Sequence, residues 1–512
     1  MLTLLHTSDW HLGRRLYNQP RYDEFAQFLS WQTHVIDTHQ VDVLLIAGDI
    51  FDTSTPSNQA QTLYYQFLNA VNHTACRHVV IVAGNHDSPS FLDAPKTLLK
   101  GFDIHVIGAI GEDLSEEILV LNDANGIPEL IVVAVPYLRD RDVRTVGNAE
   151  NLDTKERKLT AGIQAHYEAV TSLAIAKQTE LQQQIGKPIP MVATGHLFAV
   201  GGETVEGDGV RELYVGSLAH VRGEMFDPCF DYVALGHLHV PQAVGGLAHI
   251  RYSGSPIAMG FGESRQQKQV HLVRFFADEK LLTQPIFPLI KTLNESPLAN
   301  PKPSLTATKT SKKSVSTPSP ALSTSMDLFG DDLSNDDFAN VDLSKADLSK
   351  DELAQNSSNT LNSDIPLNLE QPYNIAMLSP TTLLQSLAVP VFQPLASVKG
   401  DWATIETAFK QWRKLGQSVW VEVVYEGEAV KGDLQNEVQA LIKDSDIKVL
   451  RIKNQALRQQ TLQAQAINET LEELNEIEVF ERCLTAHQVP IEQQEMLRQR
   501  YFEVLADLKE QE

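Results

Sequence analysis

Five short polar motifs, each close behind a short apolar run, constrain this chain more than any other feature. The apolar runs are typical of buried strands and comprise Leu2 to Leu5, Val43 to Ile46, Val79 to Val82, Met191 to Ala193 and Tyr232 to Leu235. The motifs that follow them are Asp9-Trp10-His11, Gly48-Asp49, Gly84-Asn85-His86-Asp87, Gly195-His196 and Gly236-His237-Leu238-His239. This order predicts a layered α/β fold with polar loops at the strand ends.

The position of these motifs indicates that they meet in space. In α/β folds, functional sites collect at the carboxyl ends of strands, where the loops diverge. Glycine before Asp49, Asn85, His196 and His237 favours a sharp turn that brings each side chain close to a ligand. His237 and His239 are two residues apart, so in an extended segment both would face the same side.

The residue types point to metal ions. Asp, Asn and His supply mixed oxygen and nitrogen donors, which suit Mn²⁺, Fe or Zn²⁺ better than Mg²⁺ alone. Taken singly, a Gly-Asp pair after a strand is usually only a turn, and a single histidine usually packs in the core or on the surface. Five such motifs in order predict a two-metal hydrolase site.

With these residues the sequence resembles the calcineurin-like metallophosphoesterase superfamily. It matches the pattern Asp-x-His, Gly-Asp, Gly-Asn-His-Asp, Gly-His and Gly-His-x-His at every element. Within that superfamily it resembles the family of bacterial SbcD nuclease subunits, through residues 6–13, 47–52, 82–88 and 252–256. The resemblance covers residues 1 to about 290 and resumes from about 389 to the end.

This resemblance implies a four-layer α/β/β/α core and two divalent metal ions, with Mn²⁺ the expected metal. One ion would be held by Asp9, His11, Asp49 and His239, and the other by Asp49, Asn85, His196 and His237. Asp49 would then bridge two ions roughly 3.5–4 Å apart. The resemblance leaves His86 for catalysis, either as a proton donor or as a stabiliser of phosphoryl charge. Asp87 would orient the His86 imidazole; the alternative is that His86 itself only orients its neighbours.

The resemblance also implies hydrolysis of DNA phosphodiester bonds in replication, recombination and repair. The expected partner is an SbcC-like coiled-coil ATPase, in a heterotetramer with a homodimer of this chain. The expected activities are an ATP-dependent double-strand exonuclease and an ATP-independent endonuclease on single strands and hairpins. Two alternatives remain: a phosphodiesterase or nucleotidase for a small molecule, and a non-catalytic scaffold that recruits an ATPase to DNA. A scaffold would be expected to lack ligands, and none is missing here.

The net charge argues against tight DNA binding by this chain alone. It is −24 at pH 7, and residues 1–290 contain 33 acids against 21 bases, whereas DNA-binding proteins usually present a basic face. We therefore expect most of the DNA affinity to come from dimerisation or from the partner. Candidate phosphate contacts are Arg14 and Arg15, beside His11, and also Arg139, Arg141 and Arg144, although each of these could be a solvated surface arginine.

Cysteine usage and hydropathy indicate the compartment. Only three cysteines occur, at Cys76, Cys229 and Cys483, without the spacing of a metal site, which fits a reducing compartment. Because Asp9 comes so early, we expect no signal peptide before it, and no run of about eighteen apolar residues is present. We expect a cytoplasmic protein that does not enter a membrane.

Composition divides the chain into segments. Residues 1–290 are expected to form the metallophosphoesterase domain, and residues 293–388 a disordered acidic insertion rich in Ser and Pro. That insertion is expected to be a plain linker, or else an interaction segment. The pattern of residues 389–455 predicts a small α+β capping domain. Apolar stripes in residues 456–512 predict two helices that bind the ATPase partner through Tyr501, Phe502 and Leu505, or that pack on the cap or on each other.

Overall fold

The computed structural model describes residues 1–143, 152–199, 221–277, 374–427 and 433–454, together with 480, 484, 494, 496–498 and 500–501. The elements up to residue 107 are β1 (Leu2–Thr7), β2 (Arg15–Leu16), β3 (Gln19–Pro20), α1 (Tyr22–Thr38), β4 (Val43–Ala47), α2 (Asn58–Val71), β5 (His78–Val82), α3 (Pro89–Asp93), α4 (Lys96–Lys100) and β6 (Ile104–Ile107). The next elements are β7 (Ile118–Asn122), β8 (Pro128–Val133), α5 (Asp140–Val143), α6 (Leu152–Ile185), β9 (Met191–His196), β10 (Tyr232–Gly236), β11 (Gln242–Val244), β12 (Leu247–Tyr252) and β13 (Gln269–Phe275). The last are β14 (Asn374–Ser379), β15 (Thr382–Ala388), β16 (Leu395–Gly400), α7 (Trp402–Leu415), β17 (Val419–Tyr425), α8 (Leu434–Ile442) and β18 (Ile447–Asn454).

Two mixed sheets carry the five motifs. The larger has the order β14-β15-β13-β1-β4-β5-β6, and the smaller has the order β11-β12-β10-β9-β8-β7. Strands β1, β4 and β5 run parallel and adjacent in the larger sheet, and β9 and β10 run parallel and adjacent in the smaller one. All five apolar runs are therefore strands, as the sequence predicts. Their carboxyl ends lie at one edge of each sheet.

Three apolar clusters hold the sheets and helices in place. One cluster combines residues of both sheets, among them Leu4, Val43, Val132 and Ala234. A second packs α1 and α2 against the larger sheet through residues such as Phe28 and Phe67, and a third packs α6 against the smaller sheet. Alternation along the strands explains this division, because successive strand residues point to opposite faces of a sheet.

One predicted boundary is wrong. The insertion was expected to extend to residue 388, but β14 and β15, within residues 374–388, belong to the larger sheet. Strand β15 pairs antiparallel with β13, and its Leu383, Leu384 and Leu387 are buried. The core therefore includes strands from beyond residue 290. The preceding part of the predicted insertion, residues 293–373, lies outside the described residues.

The predicted α+β module is present between β16 and β18. Its strands form a parallel three-stranded sheet in the order β16-β17-β18, with its own apolar core around Val421 and Phe409. Helix α7 begins at an N-cap, where the Asp401 side chain accepts a hydrogen bond from Thr404 N at 2.9 Å. It ends at Gly416, whose positive φ of 61° suits a left-handed C-cap. The first strand of the module begins at Leu395, whereas the module was expected to begin at residue 389.

The described residues include only part of the predicted C-terminal helices. Phe480, Leu484 and Tyr501 have helical backbones, and the rings of Phe480 and Tyr501 stack with their centroids 4.0 Å apart. Phe502 and Leu505 lie outside the described residues. Across the described part of the chain, no helix is long and apolar enough to cross a membrane.

Candidate metal centre

The loops that carry the first two motifs are tied to each other by backbone hydrogen bonds. Asp9 N donates to Gly48 O at 3.0 Å, and His11 N donates to Asp49 O at 3.0 Å. The loop after β1 therefore follows the loop after β4 residue by residue. This arrangement brings side chains from different strands to one point, as expected from the position of the motifs.

The backbone is strained at four of the predicted ligands. Asp9, His11, Asp49 and His237 have positive φ values of 54°, 49°, 52° and 103°. Such conformations cost non-glycine residues on the order of 1–3 kcal/mol each and are concentrated at functional sites. His237 and His239 both face the centre, but not through the extended segment that the sequence suggested. Strand β10 ends at Gly236, and a turn places the two side chains.

The glycines of the motifs are required by close packing. A Cβ atom at Gly48 or Gly236 would collide with the His196 ring, and one at Gly84 would collide with Asp49. Gly48 also has a positive φ of 91°. The predicted sharp turn is therefore only part of the reason for glycine, because the side chains of predicted ligands occupy the space that a Cβ would need.

Asp49 lies between two groups of donors. Its Oδ2 is 3.6 Å from His11 Nε2 and 3.3 Å from His196 Nε2. Its other oxygen, Oδ1, accepts a hydrogen bond from His86 N at 2.9 Å. Asp49 is thus the carboxylate shared by both halves of the centre.

The first group of donors contains His11 and His239. Their Nε2 atoms are 3.1 Å apart, and one ligand atom each of Asp9, His11 and His239 lie within 4.8 Å of one another. Asp9 Oδ1 accepts a hydrogen bond from His237 N at 2.9 Å, and Oδ2 accepts one from Ser8 Oγ at 2.5 Å. These three side chains are buried.

The second group contains Asn85, His196 and His237. Asn85 Oδ1 lies 3.0 Å from His196 Nε2 and 3.1 Å from His237 Nδ1. His196 Nδ1 is 2.9 Å from the carbonyl oxygen of Ala47. Because this carbonyl can only accept, Nδ1 carries a proton, and Nε2 is the nitrogen that faces Asp49 and Asn85. Asn85 is exposed, so the centre opens to solvent on this side.

The charges of the centre suit cation binding. Burial alone would raise the pKa of Asp49, but the charge and hydrogen bond of His196 hold it well below its usual range. Burial and the charge of His196 lower the pKa of His237 to about 3, so its ring is neutral at pH 7. His196 is itself buried, which lowers its pKa, yet Asp49 raises it to about 9. A metal ion would replace that proton. Buried carboxylates and imidazoles with converging donor atoms fit metal binding.

His86 stands at the edge of the centre, half-buried, with its ring 4.8 Å from the ring of His11. Its Nδ1 lies 2.7 Å from the carbonyl oxygen of Asp52. The expectation that Asp87 orients this ring is wrong. Asp87 instead accepts hydrogen bonds from the backbone amides of Gly84, Ile50 and Phe51 at 2.8–3.2 Å. Burial and the charge of Asp49 raise the pKa of Asp87 to about 6.

The sequence did not reveal a buried ion pair behind His239. Glu263 Oε1 lies 3.2 Å from His239 Nδ1, and Glu263 Oε2 accepts from Lys268 Nζ at 2.5 Å. Glu263 is completely buried, which raises its pKa, but His239 and Lys268 lower it to about 2. Neither Glu263 nor Lys268 lies in a recognisable motif, and Glu263 is 24 residues away from His239 in the sequence. No sequence signal distinguished this pair from ordinary surface charges.

The candidate DNA contacts have different surroundings. Arg14 is half-buried and its Nη1 is 3.1 Å from Asp52 Oδ1, whereas Arg15 is exposed. The same Asp52 oxygen lies 3.5 Å from His11 Nδ1. Arg141 is exposed on α5, and Arg144 lies outside the described residues. Asp52 therefore links Arg14 to a predicted ligand.

The α+β module contacts the β2–β3 hairpin beside the centre. Trp420 packs with Leu16 and Phe261 in a small apolar cluster. The Arg451 guanidinium lies 4.9 Å from the ring centroid of Tyr17, a cation–π distance. Lys448 also hydrogen-bonds to Gln19. These contacts fix the module next to the loop that carries Arg14 and Arg15.

Two protein-family models match the chain. Residues 2–241 match the calcineurin-like phosphoesterase family, and residues 391–488 match the type 5 capsule protein repressor C-terminal domain. The first match contains every predicted metal ligand, and the second contains the α+β module from just before β16.

Curated relatives match across most of the chain. The chain is 29% identical to the SbcD subunit of the SbcCD nuclease of Escherichia coli K12 over 509 residues, which are 99% of this chain and 98% of the relative. It is 32% identical to the Bacillus subtilis SbcD subunit over 297 residues, 57% of this chain and 72% of the relative. The Rhodobacter capsulatus SbcD subunit is 34% identical over 269 residues, 51% of this chain and 64% of the relative. The chain therefore belongs to the SbcD family of nuclease subunits, which are phosphodiester hydrolases.

Proposed function

We propose that the centre binds two divalent cations and hydrolyses phosphodiester bonds in DNA, with Mn²⁺ as the working metal. The observation that supports this most directly is the shared position of Asp49, between His11 on one side and His196 on the other. One ion would be held by Asp9, His11, Asp49 and His239, and the other by Asp49, Asn85, His196 and His237. A shared anion offsets the repulsion between two cations held close together.

The donors suit this task chemically. Bound cations supply an activated water molecule and withdraw charge from the phosphodiester. Asn85 contributes a neutral oxygen, so the centre keeps more positive charge than a further carboxylate would leave. His196 and His239 each have their other nitrogen within 3.2 Å of an oxygen, from Ala47 and Glu263 respectively. Such partners fix the ring orientation and the tautomer of a metal-binding histidine.

His86 is the proposed proton donor to the departing sugar oxygen. Its Nδ1 proton is held by the carbonyl oxygen of Asp52, which leaves Nε2 for exchange with the substrate. The ring is half-buried and lies beside the exposed Asn85, so a phosphodiester that approaches from solvent can reach it. General acids of this kind contribute about 10²- to 10⁴-fold to the rate. Asp87 organises the backbone around this loop and has no direct role.

DNA would approach along the surface between the two sheets and the α+β module. We propose that Arg14 and Arg15 contact phosphates, and that the module caps the centre and helps to select the substrate. The apolar clusters support a four-layer α/β/β/α order for the core, in which the paired sheets are covered by α1 and α2 on one side and by α6 on the other.

The partner of this chain would be an SbcC-like coiled-coil ATPase. Relatives that match nearly the whole chain are named as one subunit of an SbcCD nuclease, which supports a complex of two kinds of subunit. We propose a heterotetramer around a homodimer of this chain, with ATP-dependent exonuclease activity on double strands and ATP-independent cleavage of hairpins. The net charge of −24 supports DNA binding through the assembly. This activity would place the protein in the cytoplasm, at the nucleoid.

The decisive experiment is cleavage of an end-labelled DNA hairpin in Mn²⁺ by the purified chain, with and without the ATPase. We expect hairpin cleavage by the chain alone and resection of double strands only with the ATPase and ATP. A cyclic-nucleotide substrate assayed beside the hairpin separates a nuclease from a small-molecule phosphodiesterase. Rapid turnover of the cyclic nucleotide, with the hairpin intact in both preparations, would overturn the proposal.

A further inference from the structure

A second group of potential metal ligands lies far from the centre described above. One ligand atom each of His78, Asp103 and His105 lie within 4.8 Å of one another. His78 begins β5, whereas the Asn85 loop follows the end of the same strand. The length of the five-residue strand alone separates the two ends by about 13 Å. No residue of this group takes part in the proposed hydrolysis.

The strand register places the two histidines on one face of the larger sheet. Val80 of β5 pairs with His105 of β6, and Asp103 precedes His105 by two residues. Residues two apart on a strand share a face, so His78 and His105 point to the side on which Val80 is buried between the sheets. Asp103 lies just before β6 with a positive φ of 55°, and one of its carboxylate oxygens is within 4.8 Å of the histidine nitrogens. The rings of His78 and His105 have centroids 6.0 Å apart.

The His78 ring has a hydrogen-bond partner of the kind that metal-binding histidines usually have. Its Nε2 lies 2.8 Å from the carbonyl oxygen of Asn122 on β7. Because a carbonyl only accepts, this contact puts the proton on Nε2 and leaves a lone pair on Nδ1. Metal-bound histidines commonly donate their second nitrogen to a carbonyl in this way.

Two buried nitrogen atoms of the group lack partners. Within the described part of the chain, neither His78 Nδ1 nor His105 Nε2 has a hydrogen-bond partner, and His78 is only 9% exposed. A buried polar atom without a partner is unfavourable, because it has lost its hydrogen bonds to water. A bound cation would satisfy both nitrogen atoms.

We propose that His78, Asp103 and His105 form a second binding site for a borderline divalent transition-metal ion of the Zn²⁺ type. Two imidazole nitrogens and one carboxylate oxygen are a donor set that suits zinc, with water in the fourth position. The ion would link the beginning of β5 to β6, at the end of the sheet opposite the catalytic centre. Its expected effect is on stability, and it has no part in cleavage.

The test measures zinc binding by the full chain and by three variants. Asp103→Asn removes the carboxylate charge at an exposed position, and Asn tolerates the positive φ of 55° found there. His105→Asn removes an imidazole, and His34→Asn, at an exposed position on α1, is the matched control. Each protein is titrated with zinc chloride against a chromophoric chelator. Bound metal is then counted by mass spectrometry after gel filtration.

We expect the wild-type protein and His34→Asn to bind one more zinc equivalent than His105→Asn. Asp103→Asn should bind that equivalent at least ten-fold more weakly, while hairpin cleavage in Mn²⁺ stays unchanged in all four proteins. Crystals of the wild-type protein soaked in zinc should show an anomalous peak between His78 and His105. Equal zinc stoichiometry and affinity in all four proteins would overturn the proposal. If His105→Asn failed to fold, the affinity of Asp103→Asn would decide the question.

Discussion

The carboxylate of Glu263 lies 3.2 Å from Nδ1 of His239, behind a proposed metal ligand and completely shielded from solvent. Lys268 contacts the same carboxylate and also donates to the His239 carbonyl oxygen at 3.1 Å. Glu263 and Lys268 thus fix both the imidazole ring and the backbone of His239. Replacement of a buried ion pair by apolar residues is often neutral or stabilising. The presence of the Glu263–Lys268 pair at this position therefore indicates a role in positioning His239.

We expect Glu263→Gln to weaken metal binding by about 10- to 100-fold, the usual effect of losing the partner of a metal-bound histidine. The amide keeps the shape of the side chain but leaves Lys268 without its buried counter-charge, so the melting temperature should also fall. Metal affinity is measured by Mn²⁺ titration with cleavage as a second readout. Glu224→Gln, at an exposed position, is the control. Unchanged Mn²⁺ affinity in a folded Glu263→Gln protein would contradict the positioning role.

Asp49→Asn should abolish metal pairing and cleavage together. The substitution preserves an oxygen for the hydrogen bond from His86 N but removes the anion that both cations would share. Metal content measured by mass spectrometry should fall by at least one ion per chain. A fully metal-loaded and active Asn variant would show that Asp49 is not the bridging ligand.

His86→Ala should separate catalysis from metal binding. The ring lies beside His11 but belongs to neither proposed ligand set, so both ions should remain while the cleavage rate falls about 10²- to 10⁴-fold. The rate and the metal content are measured on the same preparation. Loss of both ions from this variant would assign His86 to metal binding instead of proton transfer.

The insertion is expected to be a tolerated tether. Deletion of residues 300–365 leaves residues 276–299 and 366–373 to connect β13 with β14, which lie in the same sheet. Loop length affects closure entropy only slowly, so the free energy of unfolding should change by about 1 kcal/mol. The melting temperature and the rate of hairpin cleavage should be nearly unchanged. A large decrease in either would indicate that the segment packs on a domain or recruits a required factor.

The strands and the clustering of the motifs could be predicted from the sequence because both depend on local pattern. Short apolar runs identify strands, and parallel strands place the residues after them at one edge. The Glu263–Lys268 pair could not be predicted in this way, since its meaning depends on a contact with His239 that only the folded chain creates. The role of Asp87 could not be predicted for the same reason. Asp87 is next to His86 in the sequence, but its carboxylate accepts hydrogen bonds from three backbone amides and does not orient the His86 ring.

The boundary at residue 388 was missed for a different reason. Strands β14 and β15 adjoin a long polar segment, and composition averaged over that segment concealed their apolar residues. The strand that joins them to the core, β13, pairs with β15 and lies about a hundred residues earlier in the chain. Pairing over such a distance leaves no local signal, whereas the module that begins at β16 has local pairing and was predicted with nearly correct bounds.

The C-terminal residues Tyr501, Phe502 and Leu505 are predicted to hold the ATPase partner. Apolar stripes on helices this short are marginal in isolation and need a surface to cover them. We expect the triple variant Tyr501→Ser, Phe502→Ser and Leu505→Ser to lose the ATPase in co-purification, while ATP-independent hairpin cleavage by the chain persists. Because Tyr501 stacks on Phe480, the single variant Phe480→Ser is the control that disturbs this stack without changing the proposed contact residues.

The two explanations for the C-terminal apolar stripes, binding of the partner and internal packing, predict different experimental results. If the residues contact the partner, the triple variant loses the ATPase at an unchanged melting temperature, and Phe480→Ser keeps more of it. If instead they pack on the α+β module or on each other, the triple variant keeps the ATPase or loses it only with a lower melting temperature. Co-purification and thermal unfolding of the same samples therefore distinguish a partner-binding surface from an internal one.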